Sequence, residues 1–300
     1  MIENTGTIPF AYGNETFHTW YRVVGDLSSG ARPLVALHGG PGISHHYMLP
    51  HATISASHNI PVIFYDQIGI GNSAHLPDKP KEFWTVDLFV DELDNILAHF
   101  GISGDFDLLG HSWGGMLAAH YASHRRPKGL KHLIITNASA SMELWECGTT
   151  KLLEGLEKEV RDIVKKHEQE GTMDSDEYQD CMQVFYNKHV CTLNPWPKQL
   201  LQSFEEMSKD PTVYSTMIGP SEFNIAGTLK TWSCIDQLHQ IEVPTLIINS
   251  PDDEAQDVNL VPLFQRVPKV KWAQLAHCTH MPFFEEPGRY FEIVGDFMKL

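Results

Sequence analysis

The stretch FDLLGHSWGGMLAAHYASHRR, residues 106–126, runs from an apolar segment through a glycine-flanked serine into a helical segment. Its centre, Gly110–Gly115, reads G-x-S-x-G in the strand–turn–helix setting that pattern requires. A serine at such a turn sits on a sharply bent backbone that only small flanking residues permit. The bend pushes its hydroxyl out above the edge of a sheet. Ser112 is therefore the candidate nucleophile, and residues 106–110 are read as one strand of a helix-covered sheet.

The flanking sequence repeats this pattern. PLVALH (33–38), PVIFYD (61–66) and LKHLIIT (130–136) are short, continuously apolar, β-rich runs. Between them, FWTVDLFVDELDNILAHFG sets Phe89, Leu93, Ile96, Leu97 and Phe100 on one helical face, with Gly101 as the stop. Apolar strands alternating with helices indicate a mostly parallel sheet with helices on both faces, an α/β fold. Upstream, ETFHTWYRVVGD is expected as an antiparallel edge strand.

The β-rich runs stop over 139–232. There TTKLLEGLEKEVRDIVKKHEQEG is read as one helix with Leu152, Leu153, Leu156, Val160, Ile163 and Val164 on its packing stripe, and DSDEYQDCMQVFYNKHV as a second. The α/β pattern resumes with VPTLIINS (243–250) and VKWAQLA (270–276) and ends in the helix PGRYFEIVGDFMKL. The expected organisation is a core domain of 1–138 and 233–300, split by a helical cap or lid of 139–232 over the strand C-termini.

Charge narrows the partners. The formal net charge of −16 repels nucleic-acid phosphate and anionic lipid, so neither is expected as a partner. No apolar run reaches the roughly 18 residues of a membrane span, and the opening MIENTGTIPFAYG is not read as a secretory signal. Cys147, Cys181, Cys191, Cys234 and Cys278 are odd in number, scattered and never spaced CxxC. They are read as reduced thiols of a cytoplasmic protein, with neither disulfides nor a zinc site.

A serine hydroxyl needs a base, and the base needs an orienting acid; in this architecture the chain order is Ser, acid, His. The strand ending at 250 runs into Asp252, Asp253, Glu254 and Asp257. The strand ending at 276 runs into His277 and His280. Both clusters fall on the sheet edge that carries Ser112, and position alone leaves the acid and the histidine open. The glycines of VALHGGPGISHHY (35–47) also bare backbone N–H groups after a strand. A phosphate loop would bring a lysine or a glycine-rich helix start, which this stretch does not convincingly offer. An oxyanion is the better match, with the Trp113 amide as one donor and this loop supplying the second.

Six colinear segments, LHGGPG (37–42), DQIGIGNS (66–73), GHSWGG (110–115), GPSEF (219–223), PDDE (251–254) and HCTHMPFFE (277–285), together resemble the proline iminopeptidase family of α/β-hydrolases. The resemblance implies an α/β-hydrolase fold with a helical lid. It also implies Asp253 as the acid, His280 as the base and Gly40 as the second oxyanion donor. Asp252 remains a rival acid, because PDD departs from the family's tyrosine–aspartate. Glu222 and Glu254 match the family's amine-binding glutamates. Trp113, Trp145 and Phe283 are candidates for an apolar wall or for plain core. His38 is read as holding its loop through its ring nitrogens, and His277 as a loop residue. Ile68 stands where the family commonly has arginine.

The resulting expectation is a serine aminopeptidase acting on a small peptide or amino-acid amide, releasing N-terminal proline or a small apolar residue, with no metal or cofactor required. The alternative is an amide, ester or lactone hydrolase of a biosynthetic pathway. A non-catalytic receptor usually lacks a triad member, and an epoxide hydrolase or dehalogenase places Asp where Ser112 stands. The oligomeric state is not legible in the chain.

Overall fold

In the computed structural model, which describes residues 2–299, the apolar runs assemble into one sheet of eight strands. These are β1 (Glu3–Tyr12), β2 (Glu15–Val24), β3 (Leu34–Leu37), β4 (Val62–Asp66), β5 (Phe106–His111), β6 (Leu130–Thr136), β7 (Thr245–Asn249) and β8 (Val270–Gln274). Their spatial order is β1-β2-β4-β3-β5-β6-β7-β8, parallel from β4 to β8 and antiparallel at β1 and β2. One expectation is corrected here. The 15–24 strand is antiparallel but not at the edge, because β1 lies outside it. Pro9 is compatible with β1, since an edge strand has one side without a ladder partner.

Alternate residues of the central strands feed two cores. Val35, Leu37, Ile63, Leu108, Ile135 and Ile247 pack on one face with α2 (Val86–His99), α3 (Trp113–His124) and α9 (Asp257–Arg266). Leu34, Phe64, Leu109, Ile134 and Ile248 pack on the other with α1 (Thr53–His58) and α11 (Pro287–Met298). Helix α2 carries the expected face, with Phe89, Leu93, Ile96 and Leu97 buried. The Thr85 hydroxyl caps its start, accepting from the Leu88 amide at 3.2 Å. Gly101 follows it in the left-handed conformation.

The chain between β6 and β7 holds α4 (Met142–Glu154), α5 (Lys158–Glu170), α6 (Asp176–His189), α7 (Lys198–Lys209) and α8 (Thr212–Met217). The helix expected over 149–171 is broken. It ends at Glu154 and restarts at Lys158, because Gly155 closes α4 with its amide on the Leu152 and Leu153 carbonyls. The break folds the stripe inward, so that Leu153, Leu156 and Val164 form a small separate core with Tyr178, Met182 and Phe185 of α6. The ends of this excursion meet: Met142 N–H donates to Trp232 O and Cys234 N–H to Ala140 O, both at 3.0 Å. The short α10 (Pro282–Glu285) precedes α11. All five cysteines are free thiols. Among the described residues no helix is long and apolar enough to cross a membrane, and no group of His, Cys, Asp or Glu is placed to hold a metal ion.

Candidate active site

The strand order reverses direction between β3 and β5, so the loops leaving their C-terminal ends diverge and open a crevice. Gly39 and Gly40 follow β3, and Ser112 follows β5, at that opening. Ser112 has φ +56° and ψ −126°, a strained conformation for a residue with a side chain. The flanking glycines make the bend possible by close backbone approach. A Cβ on Gly110 would lie 2.0 Å from Gly114 O, and one on Gly114 would lie 2.2 Å from Leu37 O. Gly114→Ala is therefore expected to destabilise the fold by more than about 3 kcal/mol, measured by urea denaturation. Gly104→Ala, which meets no atom within 4 Å, should stay within about 1 kcal/mol of wild type.

The next two strand ends bring the partners. Asp253, after β7, is fully buried, and its Oδ1 lies 2.7 Å from His280 Nδ1 in the loop after β8. Oδ1 also accepts the Ala255 amide at 2.8 Å, and Oδ2 accepts Asn137 Nδ2 at 2.7 Å. Asp252 is exposed, and its contribution is its carbonyl, 2.8 Å from His189 Nδ1. The structure thus puts Asp253, not Asp252, against the histidine. His277 is exposed. Burial pushes His280 down to about 3, against a smaller upward pull from Glu285, so its imidazole is neutral at working pH. Burial raises Asp253, and the Ala255 and Asn137 donors oppose that rise.

The backbone amides of Gly40 and Trp113 are among those with no protein acceptor among the described residues. The Gly40 loop is held from below by His38, as expected. The Gln67 amide donates to His38 Nε2 at 2.8 Å, and Gln67 Nε2 donates to His38 O at 3.1 Å. Gln67 Oε1 in turn accepts Trp113 Nε1–H at 2.9 Å. Ile68 is buried, and its amide donates to the Glu92 carboxyl, so no charged side chain stands at that position.

Ser112, His280, Gly40, Glu222 and Glu254 line one cavity of about 50 Å³, room for a few water molecules. Glu222 is fixed by two donors: Oε2 accepts Trp145 Nε1–H at 2.6 Å and Oε1 accepts the Tyr214 hydroxyl at 2.9 Å. Glu254 has Oε1 3.2 Å from His280 Nε2, while its buried Oε2 has no partner among the described residues. Burial raises both carboxyls. The neighbouring Glu222 and Asp253 raise Glu254 further, whereas the Trp145 and Tyr214 donors hold Glu222 back.

Of the two readings open for Trp113, Trp145 and Phe283, apolar wall or plain core, the structure gives core. Trp113, Trp145 and Phe283 all lie in the core clusters, and Trp145 also donates its Nε1–H to Glu222. The wall is instead Ile43, Tyr186, Val190, Phe204, Met207 and Met281. Four of these come from or directly follow α6 and α7, whose approach to the sheet edge has no local signal. Asn137 was also not foreseen, although it directly follows the strand LKHLIIT.

The family model for the alpha/beta hydrolase fold matches residues 32–287. A proline iminopeptidase of Lactobacillus delbrueckii subsp. lactis is 33% identical over 96% of each chain. One of Saccharolobus solfataricus is 35% identical over 96% of this chain and 90% of its own. Among solved structures, VinJ is 45% identical with a TM-score of 0.94, covering 99% of this chain and 98% of its own. The proline iminopeptidase of Mycobacterium smegmatis is 38% identical with a TM-score of 0.89, covering 98% of each. With this fold, these motifs and near full-length similarity, the chain belongs to the proline iminopeptidase family of α/β-hydrolases and is a hydrolase.

Proposed function

We propose that this protein is a serine aminopeptidase releasing an N-terminal proline or small apolar residue from a short peptide or amino-acid amide. Ser112 Oγ attacks the scissile carbonyl while His280 Nε2 takes its proton. Asp253 holds Nδ1–H and stabilises the imidazolium that forms. The Gly40 and Trp113 amides receive the oxyanion. His280 returns the proton to the leaving amine, and water then hydrolyses the acyl-enzyme by the same steps. The segment 139–232 serves as a lid; its own small core and the joined ends of the excursion support that role. The five free thiols support a reducing, cytoplasmic setting.

The observation that carries the reading is the Glu254–Glu222 pair beside the candidate base, with Glu254 Oε2 buried and unpartnered among the described residues. A buried carboxylate without a partner is costly, and a substrate ammonium supplies what it lacks. An ester or lactone that lacks an amine offers such a pair no cation. The test is a panel of fluorogenic aminoacyl amides with free and acetylated amines. Prolyl or alanyl amides with free amines should dominate, and equal turnover of the acetylated forms would remove the aminopeptidase reading.

Each of Glu222→Gln and Glu254→Gln should lower kcat/KM for free-amine substrates by about 10- to 100-fold, the effect of a charge-assisted hydrogen bond of about 1.5–3 kcal/mol. The effects should be less than additive, because both carboxylates share one cation. Their pKa values are raised, so the pair takes up protons above the ordinary carboxylate range as pH falls. Cation binding needs the ionised form, so kcat/KM for a free amine should drop on the acid side of that raised range. A neutral aryl ester should keep its rate there, since His280 stays neutral down to about 3. In the double variant the acid limb should vanish from the amine profile.

A further inference from the structure

The catalytic steps leave one buried polar chain unused. The Tyr47 hydroxyl oxygen accepts the Gly39 amide at 2.6 Å and lies 2.9 Å from His111 Nδ1. His111 Nε2 lies 2.7 Å from the main-chain carbonyl of His280. Tyr47, His111 and His280 are all buried. A carbonyl only accepts, so His111 Nε2 carries hydrogen and donates to it. Burial holds the His111 imidazole neutral, leaving Nδ1 bare to accept the Tyr47 hydroxyl hydrogen. The tyrosine oxygen keeps a lone pair for the Gly39 amide. One tautomer satisfies every group, and every bond runs in one direction, from Gly39 to His280.

His111 is the neighbour of Ser112 in the chain, so this ring ties together three segments: the Gly39–Gly40 loop, the nucleophile turn and the His280 loop. We propose that Tyr47 and His111 are positioning residues, whose hydrogen-bond chain holds the oxyanion loop and the His280 main chain in register with Ser112. The inference rests on the serine mechanism proposed above. Packing does not account for it. Phe283 packs edge-on against His111 with ring centroids 5.2 Å apart, a contact that an apolar side chain of similar size would keep. Only the polar atoms of residue 111 join the Gly39 amide, through Tyr47, to the His280 carbonyl.

The test uses the full-length protein, with active sites titrated by a fluorophosphonate so that kcat is expressed per reactive Ser112. His111→Leu removes both arms. His111→Gln keeps a donor for the His280 carbonyl, and His111→Asn keeps an acceptor for Tyr47. His111→Leu should lower kcat about 100-fold with KM within about threefold, the scale of a displacement near 1 Å at reacting groups. His111→Gln and His111→Asn should each recover about tenfold. Tyr47→Phe breaks the same arm as His111→Gln, so combining them should cost no more than either alone. Should His111→Leu not fold, His111→Gln and Tyr47→Phe carry the comparison. Wild-type kcat per titrated site in these variants, with only the number of active sites reduced, would overturn the proposal in favour of packing alone. Failure of the wild type to label at Ser112 would instead remove the serine-nucleophile reading, and this inference with it.

Discussion

Ser112→Ala is expected to lower kcat on every substrate by about a millionfold, the scale seen when a triad nucleophile is removed. The fold should survive. Ser112 does not cap α3 with its side chain, and alanine accepts φ +56° no worse than serine does. The variant should unfold within a few degrees of wild type, and a fluorophosphonate that labels the wild type should miss it. Residual catalysis of an activated ester above the solvent rate would come from the Gly40 and Trp113 amides, which the substitution leaves in place. Labelling that persisted in the variant would put the nucleophile elsewhere.

Asp253→Asn should cost about four orders of magnitude in kcat, and Asp252→Asn less than tenfold. The contrast follows from the donors around each side chain. Asp253 faces only hydrogen-bond donors: His280 Nδ1 and the Ala255 amide on Oδ1, and Asn137 Nδ2 on Oδ2. An asparagine must turn its NH2 toward one of these. Facing Asn137, it sets donor against donor. Facing His280, it reverses the tautomer and leaves Nε2 protonated, unable to take the serine proton. Asp252 is exposed and contributes its main-chain carbonyl, which the substitution does not touch. Steady-state kinetics on both variants check this, and the reverse ranking would move the acid to Asp252.

These expectations draw unequally on the sequence. The nucleophile turn was legible because its geometry is local: Gly110, Ser112 and Gly114 are needed within five residues of one another. The parallel strands were legible for a similar reason, since strands buried on both faces need continuous apolar runs. Edge strand β1 was not, because a solvated strand with Gly6 and Pro9 has neither the run nor a clean alternation. The break between α4 and α5 was missed because Gly155 and the stripe around it fit one long helix as well as two packed ones. Only the contact with α6 distinguishes them.

The sequence by itself determined the α/β class, the chain order of the candidate serine, acid and histidine, and the sheet edge on which they meet, because strand ends carry these residues wherever the loops go. Position in the chain left Asp252 and Asp253 equal. Tertiary structure separated them, by burying one among three donors and leaving the other in solvent. It also built most of the cavity wall from α6, α7 and the residue after α6, set Glu254 beside His280 with one oxygen unpartnered among the described residues, and joined Gly39 to the His280 carbonyl through Tyr47 and His111. Each of these depends on groups far apart in the chain approaching within about 3 Å. A linear pattern can supply the partners for such contacts, but only the packing of helices and loops over the sheet edge sets their distance.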